Sequence, residues 1–319
     1  MSHRVTNSMM VSNFLLDYQK NLNMMETQFQ QMATGRKIIR MSDDPVGVIN
    51  SMSARTRLGR LEQYKRNIDS GLDWMKESES AAMQLNDALI RAYEYCVDIA
   101  SDENAKPDRA SVAVYIEQLA KEVVQIGNAS KAEKFLFAGY NTLNPPFVIN
   151  DDGSLSYNGV DITSDTEANI TADPWYTDES GQIITYEVGF GIKEEFSLTG
   201  LELMGVGENN VYGILRDFAD ALKDPTTSTQ DLQSYIKTLQ DKQAEALQIA
   251  TRLGGSTMRM EMMYDRYETD IINFTEIKSR IEDVDEAEAI MNYNMTRAVY
   301  EAALSTGAKI FQPTLLNYL

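Results

Sequence analysis

A chain of 319 residues with a net charge of −19 and a pI near 4.5 can bury a sizeable core, but nucleic-acid phosphate and anionic membranes repel it. One histidine and one cysteine rule out an HExxH zinc site, a histidine triad beyond His3, cysteine metal clusters and internal disulfides. No run of about 18 apolar residues is available to insert in a membrane.

The first stretch, "MSHRVTNSMMVSNFLL", has neither the continuous apolar segment nor the small-residue site of a cleaved secretory signal. His3 reads as a solvated residue of that terminus. Phe14, Tyr18, Leu22, Met25, Phe29 and Met32 then follow at steps of three and four, an amphipathic helix of coiled-coil character. Gly35 can close it in a left-handed conformation.

Next comes "TGRKIIRMSDDPVGV" (34–48), whose Gly-Arg-Lys resembles a phosphate grip and whose Asp-Asp resembles an acid/base pair. The spacing excludes a P-loop, which needs a second glycine before Lys-Ser/Thr and a preceding strand. Asp44 is better placed to cap a helix beginning at Pro45, with Asp43 near the positive helix end. Gly35, Asp43, Asp44 and Pro45 therefore mark a joint between two helices. Arg36, Lys37 and Arg40 give it positive charge in a very acidic chain.

The helical period resumes at Ile68, Leu72 and Met75 and continues through Ala82, Leu85, Leu89, Ala92, Cys96 and Ile99. "SDENAKPD" (101–108) breaks it, and a third helix follows through Val112, Ile116, Leu119, Val123 and Ile126. From about residue 139 the texture changes, with 10 of the 18 glycines between Gly139 and Gly213. "NDDGSLSYNGVDI" (150–162) and "GQIITYEVGFGI" (181–192) read as strands with hairpin turns, so 140–206 is a β-rich insertion. Residues 150–210 hold 13 acidic side chains against one lysine, whereas the first 40 residues hold five basic and two acidic ones. The insertion is thus a solvated outer segment.

Asp161, Thr163, Asp165 and Glu167 alternate as the ligands of a calcium loop would. Thr166 and Ala172 stand where that loop needs glycine and glutamate, so a polar strand edge is the better reading. After the insertion a long helical register runs through Leu232, Tyr235, Leu239, Ala246, Ile249 and Leu253. It goes on through Met260, Met263, Tyr267, Phe274, Ile277, Ile281 and Val284 to Met291, Met295, Ala298 and Ala302, interrupted only by Gly254-Gly255. Met260 and Met263, within "STMRMEMMYD" (256–265), fall at core spacing.

The expected fold is mainly α: a long antiparallel helical bundle or coiled-coil rod built from both chain ends, with a small β-rich domain inserted. The chain goes out along the rod and returns, which brings both termini to one end.

Both ends carry text that resembles bacterial flagellin-type axial proteins. On the N-side it is "RVTNSMM" (4–10), "MATGRKIIRMSDDPVGV" (32–48) and "NIDSGLDWMKESESAAMQLNDAL" (67–89). On the C-side it is "RLGGSTMRME" (252–261) and "SRIEDVDEAEAIMNYNMTRAVYEAALSTGAKIFQPTLLNYL" (279–319). Within that family, "KFLFAGYNT" (134–142) and the ending from Thr296 look most like the members that join hook to filament, with filament flagellin as the alternative.

The resemblance implies a structural subunit without catalytic residues, cofactor or metal. It implies an inner-domain helix at 1–44 paired with one at 279–319, a helical trunk at 45–139 and 207–278, and an outer insertion at 140–206. It also implies export to the bacterial flagellum by the type III route, with a cytoplasmic export chaperone on the C-terminal region. The implied neighbours are hook-associated protein 1, flagellin and further copies of this chain. A cytoplasmic helical signalling or scaffold protein is the alternative from another class.

Terminal helices with so few partners of their own are expected to order when they join neighbouring subunits, where burial offsets the lost chain entropy. The packing residues expected to carry that step are Phe14, Tyr18, Leu22, Met25, Phe29, Met291, Met295, Ala298, Ala302, Leu315 and Leu316.

Overall fold

A computed structural model describes residues 7–101, 106–163, 182–224 and 227–310. The chain divides into two compact units, Met1–Glu62 with Thr269–Leu319, and Gln63–Glu268. The helices are α1 (Asn7–Thr34), α2 (Pro45–Ser101), α3 (Lys106–Gly127), α4 (Gly200–Met204), α5 (Val211–Lys223), α6 (Thr229–Glu282) and α7 (Glu286–Ile310). Among the described residues the strands are β1 (Ser130–Lys131), β2 (Lys134–Phe135), β3 (Phe147–Ile149), β4 (Leu155–Tyr157), β5 (Val160–Asp161), β6 (Thr185–Gly189) and β7 (Ile192–Glu195).

The mainly helical architecture with a small antiparallel β insert is the one the periodicities predict, with two differences. The glycine pair Gly254-Gly255 lies inside an unbroken α6. Two helical glycines cost about 1 kcal/mol each, which flanking buried residues such as Ala250 and Leu253 outweigh. Second, α4, a helix the sequence reading does not identify, lies within the β-rich segment 140–206. Five residues are too few to display a helical period, so only its Thr199 cap, accepting from the Glu202 N–H, marks it.

The Gln63–Glu268 unit holds both apolar clusters found among the described residues. The larger packs α2 and α3 against α5 and α6, with Leu85, Leu89, Ile116, Leu119, Leu215, Phe218, Leu232 and Leu239 all nearly inaccessible. Its β3–β4–β5 sheet pairs antiparallel, Phe147 opposite Tyr157 and Ser156 opposite Asp161. Asn128, just past α3, ties that sheet down by donating to the Phe147 carbonyl (2.8 Å) and accepting from its N–H (2.9 Å). The buried Tyr157 hydroxyl donates to the Phe137 carbonyl at 2.7 Å.

Cys96 sits in this cluster, its thiol directed at the Leu232 carbonyl at 3.6 Å, and burial pushes its pKa up to about 12. A thiol so reluctant to ionise is a poor nucleophile. Native protein is expected to resist iodoacetamide for hours and to alkylate fully in denaturant, a difference that intact-mass spectrometry reads directly.

The second cluster joins Ile68, Leu72 and Met75 of α2 to Met260 of α6, and covers them with Val188 and Phe196 from the β6–β7 hairpin. Gly71 permits that cover, because a Cβ there would fall on the buried Phe196 ring. Gly71→Leu would gain a few tenths to about 1 kcal/mol of helix propensity, whereas overpacking costs about 1–3 kcal/mol. The expected result is a net loss of about 1 kcal/mol in urea unfolding.

Candidate assembly surface

The unit formed by the chain ends is built differently. Among the described residues it contains neither apolar cluster, and α1 and α7 are its longest pairing. The helices run antiparallel, and aromatic residues set their register. The Phe29 and Tyr293 rings lie 5.9 Å apart and those of Tyr18 and Tyr300 5.3 Å apart, while Phe14 covers Gly307. Tyr18 and Tyr300 also share a hydrogen bond of 2.9 Å between their hydroxyls. That bond, followed by partial burial, holds the Tyr18 hydroxyl above its ordinary pKa.

The seam divides the residues singled out by periodicity. Phe14, Tyr18 and Met25 are half-buried, on the face of α1 that meets α7. Leu22 and Phe29 are more exposed, Phe29 resting on Tyr293 at the edge of the seam, and with Leu15 they recur every seventh residue at 37%, 49% and 51% exposure. On α7 the inward residues are Ala289, Tyr293, Thr296, Tyr300, Ala303 and Gly307. Met291, Met295, Ala298 and Ala302 are on the open side, the two methionines 60% and 59% exposed. Leu315 and Leu316 lie outside the described residues, as does His3.

Each terminal helix therefore spends one apolar stripe on the other and leaves a second uncovered. Exposed rows of this size on adjoining helices are characteristic of surfaces that associate.

The joint is more elaborate than its sequence suggests. Gly35 adopts φ +66°, and its N–H donates to the Gln31 carbonyl at 2.9 Å, ending α1. Its own carbonyl accepts from the Val284 N–H (3.0 Å), while the Lys37 N–H donates to the Glu282 carbonyl (2.6 Å). Arg36 and Asp283 thereby form an antiparallel β-bridge, which staples the α1–α2 connector to the α6–α7 connector. Asp44 Oδ1 accepts from the Gly47 N–H at 2.9 Å and so caps α2 at Pro45; Asp43 Oδ2 accepts from the Arg40 N–H at 2.8 Å. Both acids serve the turn.

Beneath the bridge lies Glu282, buried to 5% exposure. Arg55 donates to its carboxylate through Nε and Nη2, at 2.7 and 2.6 Å, and the Ser51 hydroxyl donates to it as well. The Arg55 contact, with help from Ser51, holds the Glu282 pKa down to about 2 against the penalty of burial. These three residues, like Tyr293, Tyr300 and Gly307, escape sequence reasoning. The tyrosines have a detectable seven-residue spacing, but Arg55 and Glu282 are 227 positions apart and carry no local signal.

In the insertion, Asp161 accepts from the Thr163 N–H (2.8 Å), and the Thr163 hydroxyl accepts from the Leu155 N–H (2.9 Å). Both side chains thus close a turn, and Asp165 and Glu167 lie outside the described residues. Among the described residues no group of three metal-binding side chains occurs, and no helix is long and apolar enough to cross a membrane.

Residues 5–142 match the bacterial flagellin N-terminal helical region, and residues 236–319 the bacterial flagellin C-terminal helical region. Over 284 residues the chain is 23% identical to a flagellin of Halalkalibacterium halodurans, covering 89% of this chain and 86% of that one. Over 290 residues it is 21% identical to flagellar hook-associated protein 3 of Escherichia coli, covering 89% and 90%. Its fold is similar to that of a protein described as a flagellar hook-associated protein of Vibrio parahaemolyticus. There the TM-score is 0.61 at 17% identity, covering 76% of this chain and 100% of the other.

Proposed function

The chain belongs to the bacterial flagellin family, and we propose that within it the protein is the hook–filament junction subunit, a hook-associated protein 3. Family members are structural components of the flagellum that polymerise, so self-association belongs to this chain too. One observation carries the assembly reading: the paired terminal helices keep a second stripe of large apolar side chains open on each helix and, among the described residues, belong to neither apolar cluster. Those stripes order and become buried against neighbouring subunits.

The proposed neighbours are hook-associated protein 1 toward the hook, flagellin toward the filament, and copies of the same chain around the ring. A cytoplasmic chaperone holds the C-terminal region until type III export delivers the chain to the outside. The inner tube takes 1–44 and 279–319, the trunk 45–139 and 207–278, and the acidic insertion 140–206 faces solvent. Phe14, Tyr18 and Met25 set the internal helix pair. Leu22, Phe29, Met291, Met295, Ala298 and Ala302 meet other subunits, together with Leu315 and Leu316.

Support for the junction over the filament comes from "KFLFAGYNT" (134–142) and the C-terminal text, and from similarity along most of hook-associated protein 3. The comparable identity to a flagellin favours a second reading, a bulk filament subunit. Fluorescent labelling of the chain in cells separates them. A single focus at the filament base is expected; label along the filament would replace the junction reading by the filament one.

A further inference from the structure

Two features outside the helix pairing contrast in shape and charge: an exposed aromatic side chain on an acidic hairpin, and a cleft with arginines at its rim. The first is a knob. At the tip of the β6–β7 hairpin, Phe190 is 85% exposed and Ile192 49% exposed. The hairpin beneath them is held firmly: Asn67 donates to the Glu187 carbonyl (2.7 Å) and Tyr267 to the Val188 carbonyl (2.6 Å). Val188 and Phe196 are buried at its base. Phe190 is therefore presented on a rigid support, and burying it would sacrifice little further conformational freedom. The hairpin carries Glu187, Glu194 and Glu195 against the single Lys193; Arg259 already pairs with Glu194, so Glu187 and Glu195 supply its outward acidity.

The second feature is a hole. Beside the joint, Ile38, Ile39, Met41, Val48 and Met52 form the apolar part of a cleft of about 310 Å³, with room for one aromatic side chain, and Ser51 and the Arg55–Glu282 pair form the rest of its wall. Met41 is 72% exposed and Met52 56% exposed. Arg36 and Arg40 stand at its rim, and neither they nor Lys37 has an ion-pair partner among the described residues. In a chain of net charge −19, a cleft whose one carboxylate is already paired with Arg55 and whose rim carries Arg36 and Arg40 is where another acidic copy can approach without repulsion.

We propose that Phe190 of one copy seats in the cleft formed by Ile38, Ile39, Met41, Val48 and Met52 of a second copy. The acidic hairpin lies against Arg36 and Arg40 of that copy. Knob and hole are different surfaces of the same chain, so the contact is heterologous. Repeated, it generates a ring or a helical array, in contrast to a closed two-fold dimer. The inference rests on the assembly reading above and adds to it the residues through which neighbouring copies meet outside the terminal helices.

The test uses full-length chain produced in its own cells. In Phe190→Cys/Met41→Cys, oxidation of isolated flagella is expected to give disulfide-linked dimers and higher multimers, absent from either single variant. Monomer alone in flagella that contain the chain overturns the contact and leaves the assembly reading standing, as does a disulfide internal to one monomer. Absence of even the unaltered chain from flagella overturns both.

Phe190→Asp and Phe190→Leu give an independent measure, since so exposed a side chain has no part in folding. The aspartate should reduce incorporation at least about tenfold, the loss expected from one aromatic knob, and leucine should largely restore it. Equal incorporation of all three forms, with unchanged thermal melting, overturns the contact.

Discussion

Deleting residues 1–40 is expected to abolish flagellar incorporation and swimming while the Gln63–Glu268 unit remains folded. The reason is the uneven distribution of buried apolar surface. Both clusters, including Phe137, Phe147, Phe218, Ile68 and Met75, belong to that unit, and none of their members comes from the deleted segment. Its cooperative melt, followed by circular dichroism, should shift by only a few degrees.

What the deletion removes is α1, and with it the partner of Tyr293, Tyr300 and Gly307 and the open row Leu15, Leu22 and Phe29. Burying one such side chain contributes about 1.5–3 kcal/mol, so a row repeated on every subunit is collectively decisive while each residue singly is not. Phe29→Asp alone should therefore weaken assembly by about tenfold to a hundredfold without abolishing it. Full motility of the 1–40 deletion in soft agar would refute this account of the terminal helices.

The second large effect is expected at the joint. Arg55→Met leaves the Glu282 carboxylate buried without its cation, and breaking a buried pair in this way costs about 3–5 kcal/mol. The Arg55 side chain is 48% exposed, so water replaces part of the lost interaction and the expected cost is about 2–3 kcal/mol. The loss should appear as faster hydrogen exchange in the first turns of α2 and the last turn of α6. Adding Glu282→Leu removes the stranded charge and should recover most of the protection, an outcome that packing loss alone would not give.

Acid has a related effect, with a definite sign. The folded pKa of Glu282 is about 2, below its ordinary value of 4.5, so the folded joint favours the ionised form. That stabilisation is complete above about pH 5 and fades as the pH falls through 4.5 toward 2, by about 3 kcal/mol in all. In Glu282→Gln the joint's exchange rates should be nearly insensitive to pH over that window, once corrected for intrinsic exchange.

Much of the architecture was legible because it rests on local rules. Repeated three- and four-residue steps over long stretches identify helices whatever they pack against. Gly35 and the Asp44-Pro45 pair mark a helix end and a helix start through backbone chemistry alone. The turn signals of "NDDGSLSYNGVDI" likewise announce the β3–β4–β5 strands. Where local signal was short, as in α4, or contrary, as at Gly254-Gly255, neighbouring packing decided the outcome.

The assembly surface was legible only as a set of residues. Phe14, Tyr18, Leu22, Met25, Phe29 and Met32 follow one apolar stripe in the sequence, yet the helix pair buries only one flank of it and leaves Leu22 and Phe29 open. Periodicity specifies which side chains share a face. The rotation of the helix about its axis depends on contacts such as Tyr18 with Tyr300 and Phe29 with Tyr293, made between residues far apart in the chain. The same holds for Arg55 and Glu282. A charge pair separated by most of the chain has no spacing to recognise, and it exists only because the fold brings two connectors together under one β-bridge.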